Sequence, residues 1–264
     1  MKLSVLQSLS QKTKSLIHSF LGAVTFYTII GIPSIWQLDF ERICRWSPLI
    51  GVLMGATIGA FDFILDQIGV SGLTRSALIV AVWVRITGGL HLDGVMDTAD
   101  GLGVWDHNRR LSVMQDSVTG AFGVMAAVIV LLLKTAAVTD LASFRWFGFM
   151  IAAGWGRWGQ VAAIAFYPYL KPTGKGAFHK QSIRLPQDLL LGVLILLGLG
   201  GVFILLEADR WWIGLIGMIG GAAIALLTGF WFYRQLGGHT GDTYGAVVEW
   251  TEALLLCFLT AIFN

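Results

Sequence analysis

Residues 76–101 read SALIVAVWVRITGGLHLDGVMDTADG. An apolar run from Ser76 to Leu90 leads directly into three carboxylates, Asp93, Asp97 and Asp100. Their offsets are four and three. Each residue of an α-helix turns about 100°, so the three fall within roughly 60° of one another and form one acidic stripe. Like charges at this spacing destabilise a helix in water. Beside a membrane they are costly unless something positive compensates them. A hard divalent cation with oxygen ligands, Mg²⁺ above all, suits one or two carboxylates plus substrate phosphates. Gly94 and Gly101 are expected to leave room for a large group to approach the backbone. The plainer reading is a solvated acidic turn at a helix end.

The surrounding chain supports a membrane setting. Of its 264 residues, 56% are hydrophobic and only 13% are charged, against about 25% charged in a soluble domain. Eleven Trp and 16 Phe suit interfacial belts and helix packing, and 33 Gly suit close helix approach in lipid. The fold class expected is all-α: a polytopic integral membrane bundle, organised as a single domain over residues 1–264. A net charge of +2 is too small to point to a nucleic-acid partner. Cys44 and Cys257 are isolated and give neither a zinc pattern nor a disulfide framework. The first 15 residues carry Lys2, Lys12 and Lys14 without a small-residue cleavage site, so no cleaved signal peptide is expected.

Hydropathy places seven spans near 47–65, 72–90, 119–139, 146–166, 187–206, 211–232 and 245–263, each close to the ~20 residues a bilayer needs. An N-terminal interfacial helix is expected over 2–17. The apolar segment 19–32 is short and ends at Pro33; the expectation is that it dips into the bilayer without crossing, the alternative being a crossing that puts the N-terminus and its three lysines outside. The connections alternate. Loops 91–118, 167–186 and 233–244 are long and basic, with Arg109, Arg110, Lys171, Lys175, Lys180, Arg184 and Arg234. Loops 66–71, 140–145 and 207–210 are short and hold only Arg145 and Arg210. The positive-inside rule makes the long-loop face cytoplasmic. All the polar motifs then fall on that face. A transporter would bury its ionisable residues near the midplane. One-sided placement suits an enzyme with a water-soluble, phosphorylated substrate.

Two further motifs open spans. Asp116-Ser117-Val118-Thr119-Gly120 precedes the third. Asp116 or Ser117 reads as a helix N-cap, or Asp116 joins the metal shell while the helix start holds phosphate. Gly237-Gly238-His239-Thr240-Gly241-Asp242 precedes the last. Its glycines and hydroxyls, Thr240 and Gly241 among them, can present N–H groups to an anion, although no lysine stands where a P-loop needs one. Asp242 and Glu249 are seven apart on one helical face, with Glu252 three further on. Both are candidate metal ligands. The alternative for Glu249 and Glu252 is a buried ion pair with Arg157 or Arg85. Arg85 and Arg157 lie within apolar spans and are candidates for binding a phosphate. Lys171 and Lys175, in a basic glycine-containing loop with His179, suit a diphosphate above an acidic metal site; the alternative is a topology signal alone.

Together these motifs resemble the cobalamin synthases, the adenosylcobinamide-GDP ribazoletransferases or cobalamin-5′-phosphate synthases. The likeness rests on Gly89-Leu90-His91-Leu92-Asp93-Gly94 followed by Asp97, Asp100 and Gly101. Asp116-Ser117 with Gly120-Ala121-Phe122-Gly123 reinforces it, as do Gly237-Gly238, Thr240-Gly241-Asp242, Gly245 and Glu249. It covers essentially the whole chain.

The resemblance implies joining of adenosylcobinamide-GDP to α-ribazole or its 5′-phosphate. The products would be adenosylcobalamin or its 5′-phosphate, and GMP. It also implies a Mg²⁺ requirement and a multi-pass site in the bacterial or archaeal cytoplasmic membrane. Membrane lipid is the expected surrounding. A second copy of the chain and other enzymes of cobalamin assembly remain open as partners. Phosphoryl transfer is mostly positioning and charge stabilisation, and two carboxylate-held metals could clamp the attacking and leaving oxygens. Asp93, Asp97 and Asp100 are the main candidate ligands, with Asp116, Asp242 and Glu249 as additions. His91 is a candidate base or phosphate donor. With no evident covalent nucleophile, direct in-line transfer is expected. CDP-alcohol phosphatidyltransferases match partly, since Val95-Met96-Asp97 follows Gly94 where they carry Ala-Arg. Prenyltransferases with two Asp-rich motifs match less well, and a cation-coupled transporter is the rival outside enzymes.

Overall fold

The computed structural model describes residues 2–263, with the side chains of residues 2–12, Ser34, Lys175 and Phe263 outside that description. The chain is 79% helical, with no strand among the described residues. Helix α1 runs unbroken over Lys2–Tyr27. The sequence reading split this stretch into an interfacial helix and a separate apolar dip. His18 and Ser19 do not stop a helix, however, and the break comes only after Tyr27. Ser19, Ala23 and Tyr27, four apart, form a buried stripe. The second half of α1 therefore docks against protein. The interfacial placement expected for 2–17 falls mostly on side chains outside the description.

Then follow α2 (Ser47–Gln67), α3 (Gly72–Ile86), α4 (Leu90–Leu102), the one-turn α5 (Arg110–Val113), α6 (Ala121–Asp140), α7 (Arg145–Phe166), α8 (Lys175–Ser182), α9 (Gln187–Leu206), α10 (Trp211–Leu236) and α11 (Gly241–Phe263). By length and composition five helices among the described residues can cross a membrane: α2, α6, α9, α10 and α11. The pair α3 and α4 makes a sixth if taken together, but it is bent by 89°. Gly88 and Gly89 make that corner, with φ of +63° and +77°. A side chain is strained at such φ, and glycine is not. The expected straight span over 72–90 thus ends at Ile86, and the acidic stripe begins a new helix.

The sequence reading counted α7 as a span too. It is too rich in Gly, Trp and polar residues to pass on composition, because it faces protein rather than lipid. Every residue from Ile151 to Ile164 is buried. It packs on α2, α9, α10 and α11. Its closest neighbour is α2, where Gly51, Gly55 and Gly59 recur every four residues. A Cβ at Gly51 or Gly55 would strike the α7 backbone at Ala153 or Met150. Small residues at this spacing let two backbones meet in lipid.

Contacts between helix ends show two faces. On one, Arg145 at the start of α7 holds Asp62 of α2 through Nε and Nη2, at 2.8 and 2.7 Å. Arg75 of α3 reaches Asp62 at 3.3 Å. On the other, Arg42 pairs with Asp188 at the start of α9, and Arg110 donates to the Gln235 carbonyl at the end of α10, at 3.0 Å. The long loops and α4 gather on this second face.

Candidate active site

On that second face lies a cavity of about 260 Å³. Its walls come from α1, α4, α7, α8, the loop after α7 and the start of α11. Two glycine contacts bring α4 and α11 together. A Cβ at Gly94 would sit 3.2 Å from the Asp242 Cα, and one at Gly245 would sit 3.1 Å from the His91 Cα. Gly94 is thus filled by the α11 backbone, and Gly101 by the Met114 side chain. The room for a ligand expected at Gly94 and Gly101 is therefore absent. Both serve helix packing.

The three stripe aspartates do lie on one helix, but they differ sharply. Asp93 is exposed, Asp97 is half-buried and Asp100 is buried. Asp93 lines the cavity with Asp242. Asp97 lies in the combined field of Asp93, Asp242 and Asp100, offset by Lys171. Asp100 is committed elsewhere. Its two oxygens accept from the amides of Gly120 and Gly123, at 2.7 and 2.8 Å. It therefore caps α6 from a different helix and meets that helix's positive end. Asp116 and Ser117 are exposed, and Asp116 accepts from the Val118 amide at 3.1 Å. The cap expected from 116 or 117 comes from Asp100 instead.

Lys171 extends from the loop after α7 to Asp242, at 2.9 Å. That loop is pinned to the glycine turn before α11. The Leu170 amide donates to the His239 carbonyl at 2.8 Å, and the His239 amide to the Pro168 carbonyl at 2.9 Å. The His239 ring bridges Thr243 and the Gly229 carbonyl, at 3.1 and 3.2 Å. Burial pushes its pKa down to about 4. Thr240 is buried, receives the Thr243 amide on its hydroxyl at 3.3 Å, and bonds Asp242 at 3.1 Å. It shapes the turn. Gly241 faces the cavity. Lys175 has its side chain outside the description.

Arg85 is exposed on the last turn of α3 and away from the cavity walls. Arg157 is fully buried and donates to Glu252 at 2.8 Å. Lys134 of α6, overlooked in the sequence reading, reaches Glu249 at 2.5 Å and Glu252 at 2.6 Å. Two cations and two carboxylates thus close a buried network. The structure does not bring Glu249 to the aspartate stripe. It also gives Arg157 a carboxylate rather than an open path to a phosphate.

The cavity gains residues that the sequence reading did not single out: Phe26, Gln160, Tyr169 and Tyr244. Gln160 carried a signal, as a lone amide in an apolar helix. His91, on the first turn of α4, lines the cavity beside Asp93, and neither of its ring nitrogens has a hydrogen-bond partner. Among the described residues no three His, Cys, Asp or Glu side chains converge as a complete metal ligand set.

The family model described as cobalamin-5-phosphate synthase matches residues 19–260. A relative from Trichormus variabilis is 55% identical, over 94% of this chain and 99% of its own length. One from Synechocystis sp. is 50% identical over 91% and 94%. One from Brevibacillus brevis is 34% identical over 92% and 98%. Each is named adenosylcobinamide-GDP ribazoletransferase. No solved structure matches the chain. The chain belongs to the cobalamin-5-phosphate synthase family and is a transferase of cobalamin biosynthesis.

Proposed function

We propose that the chain transfers the adenosylcobinamide phosphate group from adenosylcobinamide-GDP to a ribose hydroxyl of α-ribazole or its 5′-phosphate, releasing GMP. The observation that carries this reading is the meeting of Asp93, Asp242 and Lys171 at one cavity, with Asp97 beside them, in a chain of this family. The new P–O bond forms to the ribose oxygen as the P–O bond to GMP breaks, without a covalent enzyme intermediate. His91 takes the hydroxyl proton. Lys171, held by Asp242, meets the diphosphate as a point charge.

The carboxylates of Asp93, Asp97 and Asp242 are hard oxygen donors and fit Mg²⁺. Two protein carboxylates are enough, since this ion completes its shell with water and substrate phosphate. Bound there, it supplies charge neutralisation at the transferring phosphoryl group. The site faces the cytoplasm in this reading. The three long connections on that side hold Arg109, Arg110, Lys171, Lys175, Lys180, Arg184 and Arg234, against Arg145 and Arg210 in the short ones, and the more basic loops stay inside.

The test is GMP release. Purified full-length protein receives adenosylcobinamide-GDP, α-ribazole and Mg²⁺, beside an Asp97→Ala variant and a chelated control. GMP together with a corrinoid of cobalamin mass, from wild type with metal alone, is the expected result. Folded wild-type protein that releases no GMP would sink the reading.

A further inference from the structure

A larger cavity, of about 860 Å³, lies between α4, α6, α10 and α11. Val95 and Ala99 line it from α4. Each stands two residues after a stripe aspartate, about 200° around the helix. The cavity therefore lies behind the acidic stripe. No charged side chain lines it, and its two hydroxyls, those of Thr98 and Thr228, are buried. Phe122, Ile129, Leu227, Trp231 and Leu254 line it and are exposed. It is thus a groove that opens outward between α6, α10 and α11, which can all cross a membrane. It takes the first half of α6 and the second half of α10. That places it in the half of the membrane nearer the stripe.

The end of the groove at the membrane surface is basic. Arg234 follows Leu227 by seven residues and Trp231 by three, so it prolongs the same face of α10 by one turn. Arg110 donates to the Gln235 carbonyl at 3.0 Å and so sits at that same helix end. Neither arginine pairs with a carboxylate among the described residues. The acids of the loop before α6 are turned to their own backbone. Asp106 accepts from the Asn108 amide at 3.0 Å, and Asp116 from the Val118 amide at 3.1 Å. Trp105, in the loop after α4, and Trp231 are exposed, as tryptophans are at the level of lipid headgroups.

An apolar groove at the depth of lipid tails, ending at two arginines at the depth of the headgroups, matches a molecule with a hydrocarbon tail and an anionic head. Basic pockets between membrane helices bind such lipids. We infer that the groove behind α4 is a site for one anionic phospholipid, with an acyl chain between α4, α6, α10 and α11 and its phosphate at Arg234 and Arg110. The bound chain packs on the back of the helix that carries Asp93 and Asp97. The site does not depend on which substrate the stripe serves.

The test strips full-length protein of lipid in detergent, adds back phosphatidylglycerol or phosphatidylcholine, and counts retained lipid by native mass spectrometry. One phosphatidylglycerol per chain is expected, held about tenfold more tightly than phosphatidylcholine. An arginine near an anionic headgroup contributes about fivefold. Arg234→Gln, a change at an exposed residue, should therefore cut that preference about fivefold. Ala126→Trp, which fills the groove from α6, should abolish retention of either lipid at an unchanged melting temperature. If Ala126→Trp does not fold, the two lipids and Arg234→Gln decide alone. Equal retention of the two lipids, or an unchanged preference in Arg234→Gln, would overturn the site. Full retention by folded Ala126→Trp would put the lipid elsewhere and overturn it too. Loss of the bound lipid on saturation with adenosylcobinamide-GDP would give the groove to substrate, and a lipid-free dimer would give it to a second copy; either result overturns the inference.

Discussion

Lys171 and Asp242 stand 2.9 Å apart across the mouth of the cavity, one on the loop after α7 and the other at the start of α11. The pair is partly exposed, so it adds little to stability. Its value lies in holding a cation where a diphosphate would arrive. Lys171→Ala should leave the melting temperature nearly unchanged and lower kcat/KM for GMP release about 10–100-fold, the scale of a lost charged hydrogen bond. Lys171→Arg should recover part of that loss. A variant with wild-type kcat/KM would remove Lys171 from the site.

Asp100 is expected to behave in the opposite way. It bonds two amides at the start of α6 and fixes α4 against that helix. Asp100→Ala strands both donors and should cost about 1–3 kcal/mol, read as a lower melting temperature in detergent. Asp100→Asn keeps one acceptor oxygen and should lose less. If Asp100→Ala instead melts like wild type, the cap contributes nothing and a ligand role regains ground.

The Lys134, Glu249, Glu252 and Arg157 network lies inside the bundle. Removing one member leaves a buried charge unpaired, at about 3–5 kcal/mol. Lys134→Met should therefore destabilise strongly. Adding Glu249→Gln should recover part of the loss, because the orphaned carboxylate is then gone. A double-mutant cycle on melting temperature reads this coupling. Strict additivity would show that the two residues act independently.

These contrasts explain what the sequence could tell. The acidic stripe was legible because helical period and charge cost are local properties. What each carboxylate does was not legible, because its partner lies far along the chain. Asp100 finds Gly120 and Gly123; Glu249 finds Lys134. The Gly88-Gly89 corner was written in the sequence, yet hydropathy averages over it. The same averaging hid Lys134 inside an otherwise apolar helix. Apolar length picked out α7 together with the lipid-facing helices, and could not show that its surroundings are other helices. The glycines at 51, 55 and 59 carry that packing in their spacing of four, a signal the glycine count alone passes over.

Acid should weaken the fold in a defined window. Burial pushes His179 and His239 down to about 4, whereas an unfolded histidine titrates near 6.5. Below about pH 6.5 the unfolded chain takes up protons that the folded chain refuses, so stability falls as pH drops toward 4. Above that window both states leave these rings neutral and the contribution is flat. Melting temperature measured from pH 8 to 4.5 should show the decline, and His239→Gln, which does not titrate, should show a shallower one. An identical slope in that variant would assign the acid response to other groups.

Gly94 joins the packing to the chemistry. It lets α4 rest on the Asp242 backbone, and so sets how far Asp93 stands from Asp242. A methyl group at 94 meets main chain, which cannot swing aside as a side chain would. The helices must separate, and the two carboxylates with them. A shift near 1 Å in a reacting constellation can cost about 100-fold. Gly94→Ala should therefore lower kcat for GMP release at least tenfold in protein that still melts cooperatively. Gly198 faces open space on α9, and Gly198→Ala is the control expected to stay active. Wild-type turnover by Gly94→Ala would mean that the α4–α11 distance does not control the transfer.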